Sequence, residues 1–188
     1  LLGTPFDIHG GGLDLKFPHH DNEIAQGCCY NKKKDEIESY AKYWMHNGFV
    51  TFKEKKMSKS LGNIILLNDY LKKYDGEVIR LALLSSHYRN PLVWSDNLIL
   101  QSESTLDKFY QVLKQLKNVK LDDTIKKLPD ELEQYFFDDF NLAKVFAYLN
   151  KIIKNKDNFI NDENKNKIKR ILLDVGGILG ILKKNPDK

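Results

Sequence analysis

Two lysines and two serines stand within one short segment, Lys56-Met57-Ser58-Lys59-Ser60, which closes on Leu61-Gly62-Asn63. Ammonium groups held this close offset the charge of a polyphosphate. Hydroxyls and main-chain N–H groups donate to its oxygens, and the glycine permits the turn that wraps it. In phosphoryl or nucleotidyl transfer, such a mobile clamp stabilises the charge that develops in the transition state. The usual fate of a lysine cluster is a solvated basic loop, but the ordered alternation of lysine and serine before Gly62 favours the clamp.

A second constellation is Phe17-Pro18-His19-His20-Asp21-Asn22-Glu23. Proline suits a first helical turn, and a helix opened by this segment and running on over residues 21–30 puts His19 and Glu23, four apart, on one face. An imidazole and a carboxylate so placed can chelate a divalent metal, and nitrogen with oxygen suits zinc. Two ligands do not close a tetrahedral site, and the chain has no Cys-x-x-Cys pair to add. The alternative is a helix start whose acids favour the dipole and pair with histidine. Cys28 and Cys29 read as small buried residues rather than further ligands.

The third constellation is His9-Gly10-Gly11-Gly12-Leu13-Asp14. Three glycines let a backbone approach a flat ligand with its N–H groups exposed, and an aspartate just beyond can accept from a ribose hydroxyl pair. A tight turn that needs positive φ explains the glycines equally well.

These residues need elements to hold them. Phe6-Asp7-Ile8 reads as the end of a short buried strand running into the glycine turn, and Phe49–Phe52 as a second strand. Residues 66–84 read as helical turns broken around Asp75-Gly76. The chain changes character near residue 95, and all five histidines, His9, His19, His20, His46 and His87, precede that point. Beyond it Leu98, Ser102, Leu106, Phe109, Leu113 and Leu116 recur at helical spacing, with Ser95 as the cap. Residues 118–129 read as a loop. Two more helices are expected over 140–153, burying Leu142, Val145, Phe146, Leu149 and Ile153, and over 163–182. The expected architecture is therefore α/β over residues 1–94, followed by an all-α helix bundle over 95–188. Trp44 and Trp94 are expected as core or interface aromatics.

Composition limits the classes. The 188 residues are 41% hydrophobic and 30% charged, with a formal charge of +4, which permits an anionic partner without demanding one. No apolar run approaches the ~18 residues of a membrane span, so no membrane partner is expected. The two cysteines are adjacent, ill suited to an ordinary disulfide, and point to a reducing, cytoplasmic compartment.

Taken together, the motifs resemble a known family. KMSKS is the second signature of class I aminoacyl-tRNA synthetases. The run FDIHGGGLDLKFPHHDNEIAQ, followed by AKYWMHNGFV, KMSKSLGN and SSHYRNPL, resembles the cysteinyl-tRNA synthetases over about Thr4 to Asp96. The resemblance implies the latter part of a Rossmann-type catalytic domain and then a helical domain that meets tRNA. It implies ATP-dependent ligation of L-cysteine to tRNA(Cys) through cysteinyl-adenylate, with ATP and Mg²⁺ as substrate and a single zinc ion. Position by position, Lys56, Ser58 and Lys59 fall on the loop that contacts the ATP phosphates, with Lys59 stabilising the departing pyrophosphate. His9, Gly11 and Asp14 fall beneath the adenylate, with Asp14 as ribose acceptor, and His19 and Glu23 fall on two zinc ligands. In the family that zinc holds the cysteine thiolate, a soft ligand that serine cannot imitate, so serine is rejected without editing.

The departures are equally specific. The family's other two zinc ligands are cysteines upstream of the glycine run, and its HIGH signature also lies upstream. Neither is in this sequence, so a fragment that binds zinc weakly and forms no adenylate alone is expected. Asp21 stands where glutamate is common. A ligase that joins cysteine to a sugar-amine shares these motifs, and a non-catalytic tRNA-binding paralogue would share the fold. Lys108, Lys114, Lys117 and Lys120 could meet tRNA phosphates or form a solvated helix surface. A monomer is expected.

Overall fold

The structure is a computed structural model that describes residues 4–30, 40–52, 55–56, 66–121 and 128–186. The chain forms two compact units, one of residues 1–56 and 88–93, the other of residues 57–87 and 94–188.

In the first unit β1 (Phe6–Gly12) pairs in parallel with β2 (Ala41–Asn47), with Ile8 opposite Tyr43, His9 opposite Trp44 and Gly11 opposite His46. A short 3₁₀ turn (Leu13–Leu15) and an irregular turn (Lys16–His20) follow β1, the second broken by the extended backbone of Phe17. Then comes α1 (Asp21–Tyr30). The strands β3 (Val50–Phe52), β4 (Lys55–Lys56) and β5 (Leu92–Trp94) form a separate sheet in the order β4-β3-β5. Gly48 joins β2 to β3 with its N–H on Tyr88 O at 2.8 Å. A Cβ on Gly48 would lie 2.3 Å from Asn90 O, so backbone approaches backbone here and only glycine fits.

Two expectations for β1 are corrected. The glycines do not turn: Gly10, Gly11 and Gly12 continue the strand, and the only positive-φ glycine among the described residues is Gly180. Pairing with β2 holds them in the extended form instead of a left-handed turn. Nor is the strand deeply buried, since Ile8 is 67% exposed, as is its neighbour Tyr43 at 70%. Side chains alternate between the two faces of the pair, and these two share the open face. The strand β2 had no counterpart among the expected elements. Cys28 is buried as expected, but Cys29 is exposed, because adjacent positions on α1 point about 100° apart.

The second unit is helical: α2 (Leu67–Leu71), α3 (Gly76–Leu84), α4 (Asp96–Gln115), α5 (Asp130–Phe137), α6 (Leu142–Lys154) and α7 (Asp162–Leu179). Side-chain caps start four of them: Asp75 accepts from Glu77 N–H, Ser95 from Leu98 N–H, Asn141 from Lys144 N–H and Asn161 from Asn164 N–H. Phe109, Leu116, Leu132, Val145, Leu149, Leu172 and Val175 are almost wholly buried. Each such side chain contributes about 1.5–3 kcal/mol relative to exposure. The stripe on α4 is centred on Ile99, Ser102, Leu106, Phe109, Val112 and Leu113, shifted slightly from the expected Leu98 edge. Trp94 is buried and packs edge-on against Tyr70. Beyond the end of α4, the Lys169 ammonium donates to the carbonyls of Lys117 and Val119. No helix among the described residues is long and apolar enough to cross a membrane.

Candidate metal and nucleotide site

Strand alternation puts His9 and Gly11 of β1 on the same face as Trp44 and His46 of β2. The first turn of α1 brings Glu23 to this face. Its carboxylate is shared between two imidazoles, with Oε2 at 2.9 Å from His9 Nε2 and Oε1 at 3.5 Å from His19 Nε2. The expected i,i+4 pair is thus formed, with His19 at 58% side-chain exposure and Glu23 at 29%.

Four further residues, His20, His46, Trp44 and Tyr40, belong to this cluster and were not among the expected site residues. His20 is buried, and its Nδ1 lies 2.9 Å from His46 Nε2. One of the two nitrogens must donate and the other accept, so the contact requires at least one neutral ring. Burial holds His20 below the usual imidazole range, the facing His9 and His46 push the same way, and Glu23 opposes them. Trp44 stacks nearly parallel to His46, at 7° and 6.2 Å between centroids, and meets His9 edge-on at 4.8 Å. Tyr40 closes the aromatic wall against Phe6, His9 and Trp44, and burial raises its hydroxyl above the usual range. The Trp44 indole N–H is buried and meets no acceptor among the described residues. The signal for His20 was its place beside His19. For His46 and Trp44 it was the alternation of Tyr43 and Met45 against Trp44 and His46, which marks a strand.

Gly11 makes the arrangement possible. A Cβ there would sit 3.0 Å from two atoms of the His20 ring and from Leu15 Cδ1, so the missing side chain admits the imidazole against β1. The group that approaches this glycine within the chain is thus a histidine. Asp14 lies in the 3₁₀ turn, exposed, with its carboxylate folded toward Gly12, where a Cβ would be 2.6 Å from Oδ1.

The donor set fits a divalent ion. One ligand atom each from His9, His20 and Glu23 lies within 4.8 Å of the others, and His19 Nε2 lies close to the same carboxylate. Imidazole nitrogen with carboxylate oxygen is a combination zinc accepts. Of the expected phosphate-binding residues, Lys56 ends β4, and Ser58 and Lys59 lie outside the described residues.

A family model described as the tRNA synthetases class I (C) catalytic domain matches residues 1–104. Among curated relatives, the cysteine–tRNA ligase of Parvibaculum lavamentivorans is 41% identical over 186 residues, 99% of this chain and 39% of that protein. The cysteine–tRNA ligase of Wolbachia pipientis wMel is 39% identical over 188 residues, covering 100% of this chain and 40% of its own length. The enzyme of that name from Phenylobacterium zucineum is 56% identical over 112 residues, 60% of this chain and 24% of the relative. The chain therefore spans about two fifths of the length of the first two. Among solved structures, the ternary complex of Agrobacterium radiobacter K84 agnB2 LeuRS with tRNA and LeuAMS matches with a TM-score of 0.73 at 17% identity. That match covers 93% of this chain and 25% of that one, and shows a shared fold. With more than half of its 188 residues matched, the chain belongs to the class I (C) tRNA synthetase catalytic-domain family.

Proposed function

We propose that this chain is the later part of a cysteine–tRNA ligase that activates L-cysteine with ATP and transfers it to tRNA(Cys). The observation that carries the proposal is Glu23, whose two oxygens face His9 and His19 in a chain about 40% identical to cysteine–tRNA ligases over nearly its whole length. In this reading residues 1–94 carry the chemistry and residues 95–188 form a helical bundle that meets the tRNA.

His19 and Glu23 would hold a zinc ion through Nε2 and Oε1, with the family's two upstream cysteines completing the set. When bound, that ion supplies a soft Lewis acid that takes a thiolate far more readily than a hydroxyl. The chain's own residues do the rest. His9 holds the second carboxylate oxygen and so fixes the orientation of Glu23. The wall of Trp44, Tyr40 and the buried His20 keeps bulk water from the inner side of the cluster. Asp14, with His9 and Gly11, is assigned to the adenylate, Asp14 accepting from the ribose hydroxyls. Lys56, Ser58 and Lys59 are assigned to the ATP phosphates with Mg²⁺, and Lys59 offsets the charge of the leaving pyrophosphate.

The test joins this chain to the rest of such a ligase and follows cysteine-dependent ATP–pyrophosphate exchange and tRNA charging. Lys59→Ala should lower exchange about 100- to 1,000-fold, and Glu23→Ala should lower zinc content and exchange together. Equal activation of serine and cysteine would overturn the zinc assignment. Transfer of cysteine to a sugar-amine but not to tRNA would overturn the acceptor.

A further inference from the structure

The segment that follows α7 is held by α3. The helix α7 ends at Gly180 in the left-handed region (φ 70°), and Ile181 N–H returns to Gly176 O at 2.9 Å. Leu182 is left-handed as well (φ 58°), a conformation that an apolar side chain adopts only where its surroundings enforce it. Beyond this bend successive N–H groups converge on one carboxylate. Leu182 N–H donates to Glu77 Oε2 at 3.1 Å and Lys183 N–H to Glu77 Oε1 at 3.0 Å. Tyr110 of α4 donates its hydroxyl to the same Oε2 at 2.7 Å and accepts from Lys184 N–H at 3.0 Å.

A concavity of backbone N–H groups is a ready-made anion site, and here the anion is the chain's own Glu77. Two more positions of α3 grip the same segment. Arg80 Nε donates to Leu179 O at 2.6 Å, and the Lys184 ammonium pairs with Asp75, the residue that caps α3. A Cβ on Gly180 would stand 2.8 Å from Arg80 Nε, so the glycine serves both the bend and the approach of the guanidinium. The cap, the first turn and the next turn of α3 are thus all engaged by residues 179–184.

We propose that Asp75, Glu77 and Arg80 form a clasp, completed by Tyr110, that makes the first turn of α3 and the segment 179–184 a single cooperative unit. The left-handed bend presents the Leu182 and Lys183 N–H groups to Glu77, and the α3 cap shares its carboxylate with Lys184. Opening at one end therefore opens the other, which ties α3 to the chain leaving α7.

Amide hydrogen exchange on the full 188-residue chain tests this. Glu77→Gln keeps the shape and removes the charge. Exchange at Leu182 and Lys183 should rise at least tenfold, with a rise of similar factor at Val78 and Ile79, while Val145 and Leu149 in α6 hold their rates. Tyr110→Phe, which loses one hydroxyl and keeps its buried ring, should produce the same pattern at smaller amplitude, including Lys184, and serves if the first variant does not fold. Faster exchange at residues 182–184 with α3 unchanged, or no change in either, overturns the clasp.

Discussion

Glu23 faces two imidazoles that reach it by different routes. The His19 contact is local, four positions back along the chain, and helical spacing alone makes it legible. The His9 contact depends on β1 lying beside the first turn of α1, which no spacing rule reveals. The same holds for His20 with His46, brought together by the pairing of β1 with β2. Sequence thus discloses the half of a site that sits on one element and conceals the half assembled between elements. A prediction follows for His9. If it orients Glu23 rather than ligating, His9→Ala should weaken zinc binding by about 10- to 100-fold without abolishing it. His19→Ala should remove a ligand and leave metal that chelator competition strips at once. Equal losses from the two would assign His9 to the ion itself.

Among the elements, α3, α4, α6 and α7 were legible because each carries a long apolar stripe and an Asp, Ser or Asn cap. The strand β2 was not, because Lys42 shares a face with Trp44 and His46, so the alternation that marks a strand is confined to Tyr43 through His46. The short helix α5 lies beyond the loop expected over 118–129 and had no counterpart among the expected elements; it follows Pro129 and opens with Asp130, Glu131 and Glu133, acids that favour a helix start. At the junction of β2 and β3 the least conspicuous residue is the most constrained. Replacing Gly48 by alanine puts a methyl group on the carbonyl of Asn90, and backbone cannot swing aside as a flexible side chain would. Gly48→Ala should cost about 1–3 kcal/mol by denaturant titration. Gly177, whose added Cβ meets nothing within 4 Å, is the control. A helix-interior glycine replaced by alanine there should be neutral or stabilising. A destabilisation of Gly177→Ala equal to that of Gly48→Ala would remove close approach as the cause.

For the molecule as a whole, alkaline stability reports on the helical unit. Burial and the Glu77 contact push the Tyr110 hydroxyl up to about 12. The folded chain therefore holds this proton more tightly than the unfolded chain, whose tyrosines titrate near 10. The associated stability is complete below pH 10 and is lost as pH rises toward 12. Tyr110→Phe should be the less stable variant at pH 8, and the gap to the parent should narrow as thermal melts move above pH 10. A constant gap would exclude the linkage. The two-unit layout has a consequence of another kind. Residues 88–93 rejoin the first unit after 57–87 have entered the second. No single cut separates the units, and a break after residue 94 strands α3 without α4, the helix it packs against. Order of synthesis matters too. As the chain leaves a ribosome, β3 emerges about forty residues before β5, the strand that closes its edge. For that interval its open edge is where a nascent chain would pair wrongly, and where a chaperone would have most to do.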